Sequence, residues 1–207
     1  MAFDIRWRRE AGRNLPVLVW QWREPMRTIA SGPHNGGIGL RRWVVNAQVP
    51  PAYARRDPDH HLGKLGVSLG LPGRGVGMLT AADVQHYRST VDDGVEVVAT
   101  VGLSRPISAA APDDPRAPSL AGTINVVAVV PQRLSDAALV NAVVTMTEAK
   151  VQALRDAGVP GTGTATDAVC VVCPDDGPIV DYAGPRSRWG ARLARAMHGA
   201  VLAGAAP

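Results

Sequence analysis

Aromatic side chains are scarce in this sequence of 207 residues: one Phe, three Tyr and five Trp, or 4% of the chain. Its core must therefore be filled by Val, Leu and Ala, within an apolar fraction of 46%. Lysine is rarer still, Lys64 and Lys150 being the only two among 22 basic residues. The arginines are dispersed apart from the pairs Arg8-Arg9, Arg41-Arg42 and Arg55-Arg56, and no basic run is interleaved with aromatics. The net charge of +4 therefore gives no footprint for nucleic acid, although it suits attraction of an anionic small ligand. No apolar run approaches the length of a membrane span, and the opening MAFDIRWRRE lacks the apolar centre of a signal peptide, so a cytoplasmic protein is expected. The nucleophile-elbow, zinc-helix and kinase patterns are all missing.

Cysteine is limited to Cys170 and Cys173. Their CxxC spacing lies in Ala168–Cys173, a run apolar at every position, which reads as a central strand covered on both sides. Positions three apart on a strand face opposite ways, and no second Cys pair or spaced His cluster completes a zinc site. Both are expected to be small core residues, with no metal site.

The chain is organised around residues 145–169, TMTEAKVQALRDAGVPGTGTATDAV. A helix is predicted from Ser135, an N-cap type followed by Asp136, to Gly158, with Pro160 beyond. At 100° per residue, Val140, Val143, Val144, Thr147, Val151 and Leu154 form its predicted inward stripe, with Glu148 on one flank and Lys150 on the other. The loop Gly161-Thr162-Gly163-Thr164-Ala165-Thr166 alternates hydroxyls with the smallest residues. If extended, it would point its threonines one way and admit a backbone or ligand closely. Asp167 stands at the mouth of the strand, where a carboxylate is costly unless paired or used. The same residues also suit a plain turn.

Elsewhere, Phe3–Arg9 and Leu15–Trp22 read as strands about Gly12-Arg13-Asn14, with Met26–Ala30 a short third. The breaker-rich Ser31–Gly39 must be a loop, whose His34, Asn35, Gly36 and Gly37 could line a polar site. Arg41–Gln48 is a strand, 58–70 a short helix with His60 and His61 on its surface, and Val76–Leu79 a strand. Val84–Val91 and Val95–Leu103 form a hairpin about Asp92-Asp93-Gly94. Residues 104–121, rich in Pro, Ala and Asp, read as a mobile surface loop, and Gly122–Val130 as an apolar strand. The last helix runs to about Leu202 with Leu193, Met197 and Val201 inward and Arg188, Arg192 and Arg195 on a solvated face. Hairpins followed by a strand–helix–strand unit make one α+β domain over 1–207, a mixed β-sheet with packed helices.

Several segments, in order, resemble the adenosylcobinamide amidohydrolase family of corrinoid salvage. They are Asn35-Gly36-Gly37, Gly77-Met78-Leu79-Thr80-Ala81, Thr100–Ser104, Gly122-Thr123-Ile124-Asn125, Leu134–Ala138, Thr147-Glu148-Ala149-Lys150, Gly161–Ala168 and Tyr182-Ala183-Gly184-Pro185. The resemblance spans about residues 30–200 and implies an enzyme that cleaves the amide between aminopropanol and the corrin ring, with cobalt carried by the substrate and no resident cofactor. Amide hydrolysis needs an activated water or nucleophile, oxyanion stabilisation and a proton for the leaving amine. The residues themselves suggest Glu148 and Asp167 as acid and base, meeting in one pocket within the chain or across a subunit interface of a homo-oligomer. Thr162, Gly163 and Thr164 would face the oxyanion, Thr164 being also a possible nucleophile. His34, Asn35, Gly36, Gly37 and Thr80 would hold the corrin's amides. The competing readings are a non-catalytic corrinoid- or nucleotide-binding module, which needs neither carboxylate, and a structural or nucleic-acid partner, supported only by positive charge.

Overall fold

A computed structural model describes residues 3–10, 12–112 and 122–206. Its strands are β1 (Asp4–Glu10), β2 (Arg13–Ala30), β3 (Gly37–Gln48), β4 (Gly75–Thr80), β5 (Arg88–Asp92), β6 (Val95–Gly102), β7 (Thr123–Val129) and β8 (Ala168–Cys173). Three helices, α1 (Pro58–Ser68), α2 (Asp136–Asp156) and α3 (Arg188–Ala205), complete it. The strands form one mixed sheet in the order β4-β3-β2-β8-β7-β6-β5, with β1 paired to β2. The expected α+β domain with hairpins and packed helices is what forms. Part of the expected 104–121 loop, residues 113–121, lies outside the described residues.

The sheet is curled. Asn46 on β3 donates from Nδ2 to Thr100 Oγ1 on β6 at 2.9 Å, and Asn125 Nδ2 on β7 donates to Asn46 Oδ1 at 2.9 Å. β3 and β6 stand four positions apart in the sheet, which would separate them by about 19 Å if it were flat. Curling encloses an inner core that includes Leu18, Trp20, Val44, Met78, Val127 and Cys170. The outer face of β6, β7 and β8 packs against α2 and α3, and that of β3 and β4 against α1. Gly66 of α1 and Gly75 of β4 both face the Trp43 ring, and a Cβ on Gly75 would overlap it.

The second strand is longer than expected. The two predicted pieces, Leu15–Trp22 and Met26–Ala30, are halves of β2, joined through a register shift between Gln21 and Met26. The first half pairs with β1 and the second with β8, so the bend turns one strand into two walls of the curl. In the hairpin, Val84–His86 is a 3₁₀ turn and the strand begins only at Arg88. Asp93 and Gly94 both have positive φ, 42° and 90°, as a two-residue turn matching strand twist requires.

Helix α2 caps as predicted: Ser135 accepts from the Ala138 N–H, and Gly158 follows with φ 72°. Its inward stripe follows the prediction only in part: Leu154 is buried and Val143 packs against the core, but the rest is shifted round the helix. Leu139, Ala142, Met146, Ala149 and Ala153 are buried, while Val140 and Val144 are 49% and 51% exposed. The physical reason is size: alanines let α3 approach closely, and the valines stand on the far side of that contact. Two further expectations are corrected. His61 is buried, held by Tyr53 and Glu10. Arg192 and Arg195 are not simply solvated, since they pair with Asp93 and Asp92 in the β5–β6 turn, and Arg192 also lies over Trp189. Leu193, Met197 and Val201 face inward as expected.

Cys170 and Cys173 are free and buried on opposite faces of β8, in the inner and outer cores. Burial pushes the Cys170 thiol up from 9.0 to about 12. A thiol raised in the folded state ionises first in the unfolded chain, so its contribution is intact below the unfolded value and is lost as pH climbs towards about 12. Unfolding free energy measured by urea titration is expected to fall by up to about 1.4 kcal/mol per pH unit across that window from this group. Cys170→Ala and Cys173→Ala should each keep activity and lose about 1 kcal/mol of stability. Loss of turnover in a folded variant would show a chemical role.

Candidate active site

The inner face of the curl is largely apolar, with Thr28 buried towards one end and a polar cluster at the other. Inward positions there are Asn46, Thr80, Thr100, Thr123 and Asn125, all buried. Each continues the alternation of an otherwise apolar strand, as Asn125 does in Thr123–Val129. Asn125 Nδ2 also donates to the Leu79 carbonyl at 2.8 Å, so its amide orientation is fixed by two acceptors.

Above this polar end opens a cleft of about 680 Å³. Ser31, Thr80, Thr123, Thr166 and Asp167 give it polar lining, and Pro33, Val49, Pro50, Pro51, Ala52 and Tyr53 apolar lining. The parallel pairing of β7 with β8, spanned by α2, and the pairing of β2 with β8 bring these segments to one edge. Ser31 is fixed there by reciprocal bonds to Val169, its N–H donating to the Val169 carbonyl at 2.9 Å and its Oγ accepting from the Val169 N–H at 3.0 Å.

Asp167 is the most heavily bonded group of the cleft. Oδ1 accepts from the Ile124 N–H (2.9 Å) and the Thr164 hydroxyl (2.5 Å), and Oδ2 accepts from Lys150 Nζ (2.5 Å) and the Thr164 N–H (3.1 Å). All four lone-pair directions of the carboxylate are thus occupied, and the Lys150 and Asp167 side chains are each only 13% exposed. The pair ties α2, the 161–167 loop and β7 together. Gly163 is the glycine this requires, because a Cβ there would lie 2.6 Å from Lys150 Nζ and would overlap Asp167 Oδ2.

The threonines do not share one direction, since the loop is turned rather than extended. Thr162 Oγ1 accepts from the Ala109 N–H at 2.9 Å, away from the cleft. Thr164 faces Asp167, and Thr166 Oγ1 lies 2.7 Å from Thr123 Oγ1. Thr80 Oγ1 accepts from the Ala82 N–H at 3.0 Å.

The 31–37 loop is divided. Ser31 and Pro33 line the cleft, whereas His34 lines a separate hollow of about 380 Å³ with Asp59, His60, Gly63, Lys64 and Val67. His34 Nδ1 lies 2.6 Å from Asp59 Oδ1, and its ring stacks on Trp43. Asn35, with φ 52°, donates from Nδ2 to the Gly75 carbonyl at 3.0 Å. Gly36 and Gly37 complete this turn, a Cβ on Gly36 meeting the Gly32 carbonyl oxygen at 2.7 Å.

Glu148 and Asp167 are not brought together within the chain. Glu148 is exposed and lines a different depression, between α2 and α3, with Gln152, Pro185, Arg195 and His198. Glu148 and Lys150 leave opposite flanks of α2, and Lys150 is the one that turns to Asp167. Lys150, Tyr53, Thr123 and Asn125 were not among the predicted site residues. The signal for the last two was polarity at inward strand positions; for Lys150 it was a lysine in a chain that has almost none.

Fold and cleft define the class: an α+β protein whose curled sheet opens at one end onto a half-polar, half-apolar cleft suited to a small molecule. The family model for adenosylcobinamide amidohydrolase matches residues 4–207, and the chain belongs to that family. It is similar to the protein named adenosylcobinamide amidohydrolase of Methanosarcina mazei, 32% identical over 179 residues that cover 82% of this chain and 86% of the relative. The protein of the same name from Halobacterium salinarum is 40% identical over 136 residues, covering 61% of this chain and 56% of the relative. No helix among the described residues is long and apolar enough to cross a membrane.

Proposed function

We propose that this protein hydrolyses the amide joining aminopropanol to the corrin ring of adenosylcobinamide, giving adenosylcobyric acid and 1-amino-2-propanol. The observation that carries the reading is the two-sided cleft, in a chain matched by the family model from residue 4 to residue 207. The corrin edge rests on the Pro50-Pro51-Ala52 side, and its amides meet the hydroxyls of the other. The whole macrocycle need not enter, since the cleft is open to solvent. Thr80 accepts from the Ala82 N–H, which leaves its proton for a developing oxyanion, while Thr123 and Thr166 bond to each other, and Thr166 to the Gly122 carbonyl, and shape that side of the cleft. Asp167 and Lys150 hold Thr164 and the loop in place for this. Cobalt enters as part of the substrate, and the reading needs no resident cofactor. We place the enzyme in the cytoplasm, in corrinoid salvage.

Incubation with adenosylcobinamide should yield adenosylcobyric acid by mass spectrometry. Binding with unchanged substrate would favour a non-catalytic corrinoid carrier. Glu148→Gln separates two arrangements of the same enzyme. With Glu148 outside the cleft, turnover should stay within about threefold of wild type, far from the roughly 100-fold loss of an acid–base group. A loss of that size would return Glu148 to the chemistry, by way of a neighbouring subunit.

A further inference from the structure

Amide hydrolysis needs a group that takes a proton from water and gives one to the leaving nitrogen. Asp167 is poorly placed for this, its lone pairs being filled by four donors. The apolar side of the cleft carries an alternative. Tyr53 lines the cleft, and its Oη lies 2.9 Å from His61 Nδ1. His61 Nε2 lies 3.2 Å from Glu10 Oε1. Glu10 is in turn held by Arg8, whose Nε donates to Oε2 at 2.9 Å while its Nη2 donates to the Gln48 carbonyl at 2.7 Å.

The order of donors follows from the end of the chain. The Glu10 carboxylate lies 3.2 Å from Nε2 and draws the imidazole proton to that side, which leaves Nδ1 to accept from the Tyr53 hydroxyl. A hydroxyl, a buried imidazole and a carboxylate in series is the arrangement that activates hydroxyl groups in hydrolases on unrelated folds. The three residues come from β1, the 49–54 segment and α1, so no local stretch of sequence contains them.

We propose that Tyr53 is the catalytic acid–base residue of the hydrolysis and that His61 and Glu10 are positioning residues acting through it. This rests on the amidohydrolase reading above. Water adds to the amide carbon; as its O–H bond breaks, that proton passes to Tyr53 Oη while the Tyr53 proton passes to His61 Nδ1. The imidazolium is balanced by Glu10. On collapse of the tetrahedral intermediate the proton returns from His61 to Tyr53, and the Tyr53 proton goes to the amine nitrogen as the C–N bond breaks. The products are the free acid and the amine, and the relay ends as it began. The neighbouring charges are Arg8 on Glu10, the Arg55–Asp57 pair beside Tyr53, and His60 next in the chain. Desolvation is the main cause that raises the Tyr53 phenol above its usual range, which keeps it protonated and able to donate.

The test uses the full-length protein with adenosylcobinamide, following kcat and KM across pH for wild type, Tyr53→Phe, His61→Gln and Glu10→Gln. Tyr53→Phe keeps the ring and should lower kcat at least about 100-fold, with KM within twofold. His61→Gln and Glu10→Gln should each change the shape of the kcat/KM pH profile of the folded protein, because the proton relay behind Tyr53 is interrupted. Wild-type kcat in Tyr53→Phe overturns the proposal. So does a uniform loss of folded protein in the His61 and Glu10 variants with no change in profile, the mark of a purely structural tie between α1 and β1. If the wild-type protein itself leaves adenosylcobinamide intact, it is the amidohydrolase reading that fails.

Discussion

Asp167→Asn is expected to lower both stability and turnover. Each carboxylate oxygen faces two donors: Ile124 N–H and the Thr164 hydroxyl on one side, Lys150 and the Thr164 N–H on the other. An amide has one acceptor and one donor end, so either orientation of the substituted side chain would press an NH₂ against donors. The charge on Lys150 also loses its counter-ion in a mostly buried place. Removing one member of such a pair costs about 3–5 kcal/mol, and the remaining exposure of 13% on each side favours the lower figure. Because Asp167 sets the position of the 161–167 loop, turnover should fall about 100-fold, the scale of a misplaced active-site group. Thermal unfolding and initial-rate measurements on the same preparation check both parts. Adding Lys150→Met to Asp167→Asn should recover part of the stability, since the unpaired ammonium is gone, but none of the turnover. A single variant with the melting temperature and rate of the wild type would remove Asp167 from both roles.

The second large effect is expected at Asn46→Leu. Asn46 accepts from Asn125 and donates to Thr100, joining β3 to β7 and β6 across the interior of the curl. Leucine approximates its shape but removes both bonds. Thr100 then loses its donor in a buried site, and one of the two acceptors of the Asn125 amide disappears. Unsatisfied buried groups cost about 1–3 kcal/mol each, and linked networks lose more than single bonds, so about 3 kcal/mol is expected from urea unfolding. The cleft should suffer too, because Asn125 also holds the Leu79 carbonyl beside Thr80. KM should rise more than kcat falls. Wild-type stability in Asn46→Leu would mean that apolar packing alone closes the sheet.

The proposed mechanism divides between two sides of one cleft. The threonines and the Lys150–Asp167 pair stabilise charge on one side, and Tyr53 with His61 and Glu10 moves the proton on the other. The arrangement explains why the loop after α2 is so rich in glycine and threonine: Gly163 admits the ion pair, and Thr164 and Thr166 bind their own surroundings before any ligand.

Much of this was legible in the residues, and what was legible was local. Ser135 and Gly158 bound α2 because capping needs only neighbouring backbone groups. Asp93-Gly94 made its hairpin because positive φ is a property of the turn itself. The alternation of Ala168–Cys173 placed both cysteines in the core, on opposite faces. Thr80 and Asp167, both predicted to the site, line the cleft at the ends of β4 and of the loop before β8. The inward face of α2 was misread in part because hydrophobicity ranks valine above alanine, whereas close approach of α3 selects small side chains. Glu148 and Lys150 stand two residues apart in the same helix, and only the packing of that helix decided which one turned to Asp167.

The α+β class, most element boundaries and the family thus follow from the residues alone, since these rest on short-range periodicity, capping and ordered motifs. Packing in three dimensions added that the sheet curls, that Asn46, Thr100 and Asn125 meet inside it, and that Tyr53, His61 and Glu10 stand in series, the first two hydrogen-bonded and the last two paired at 3.2 Å. Those contacts join residues far apart in sequence. They exist because a bent β2 and two crossover helices bring distant strand ends to one edge, a consequence of packing that no local pattern of residues encodes.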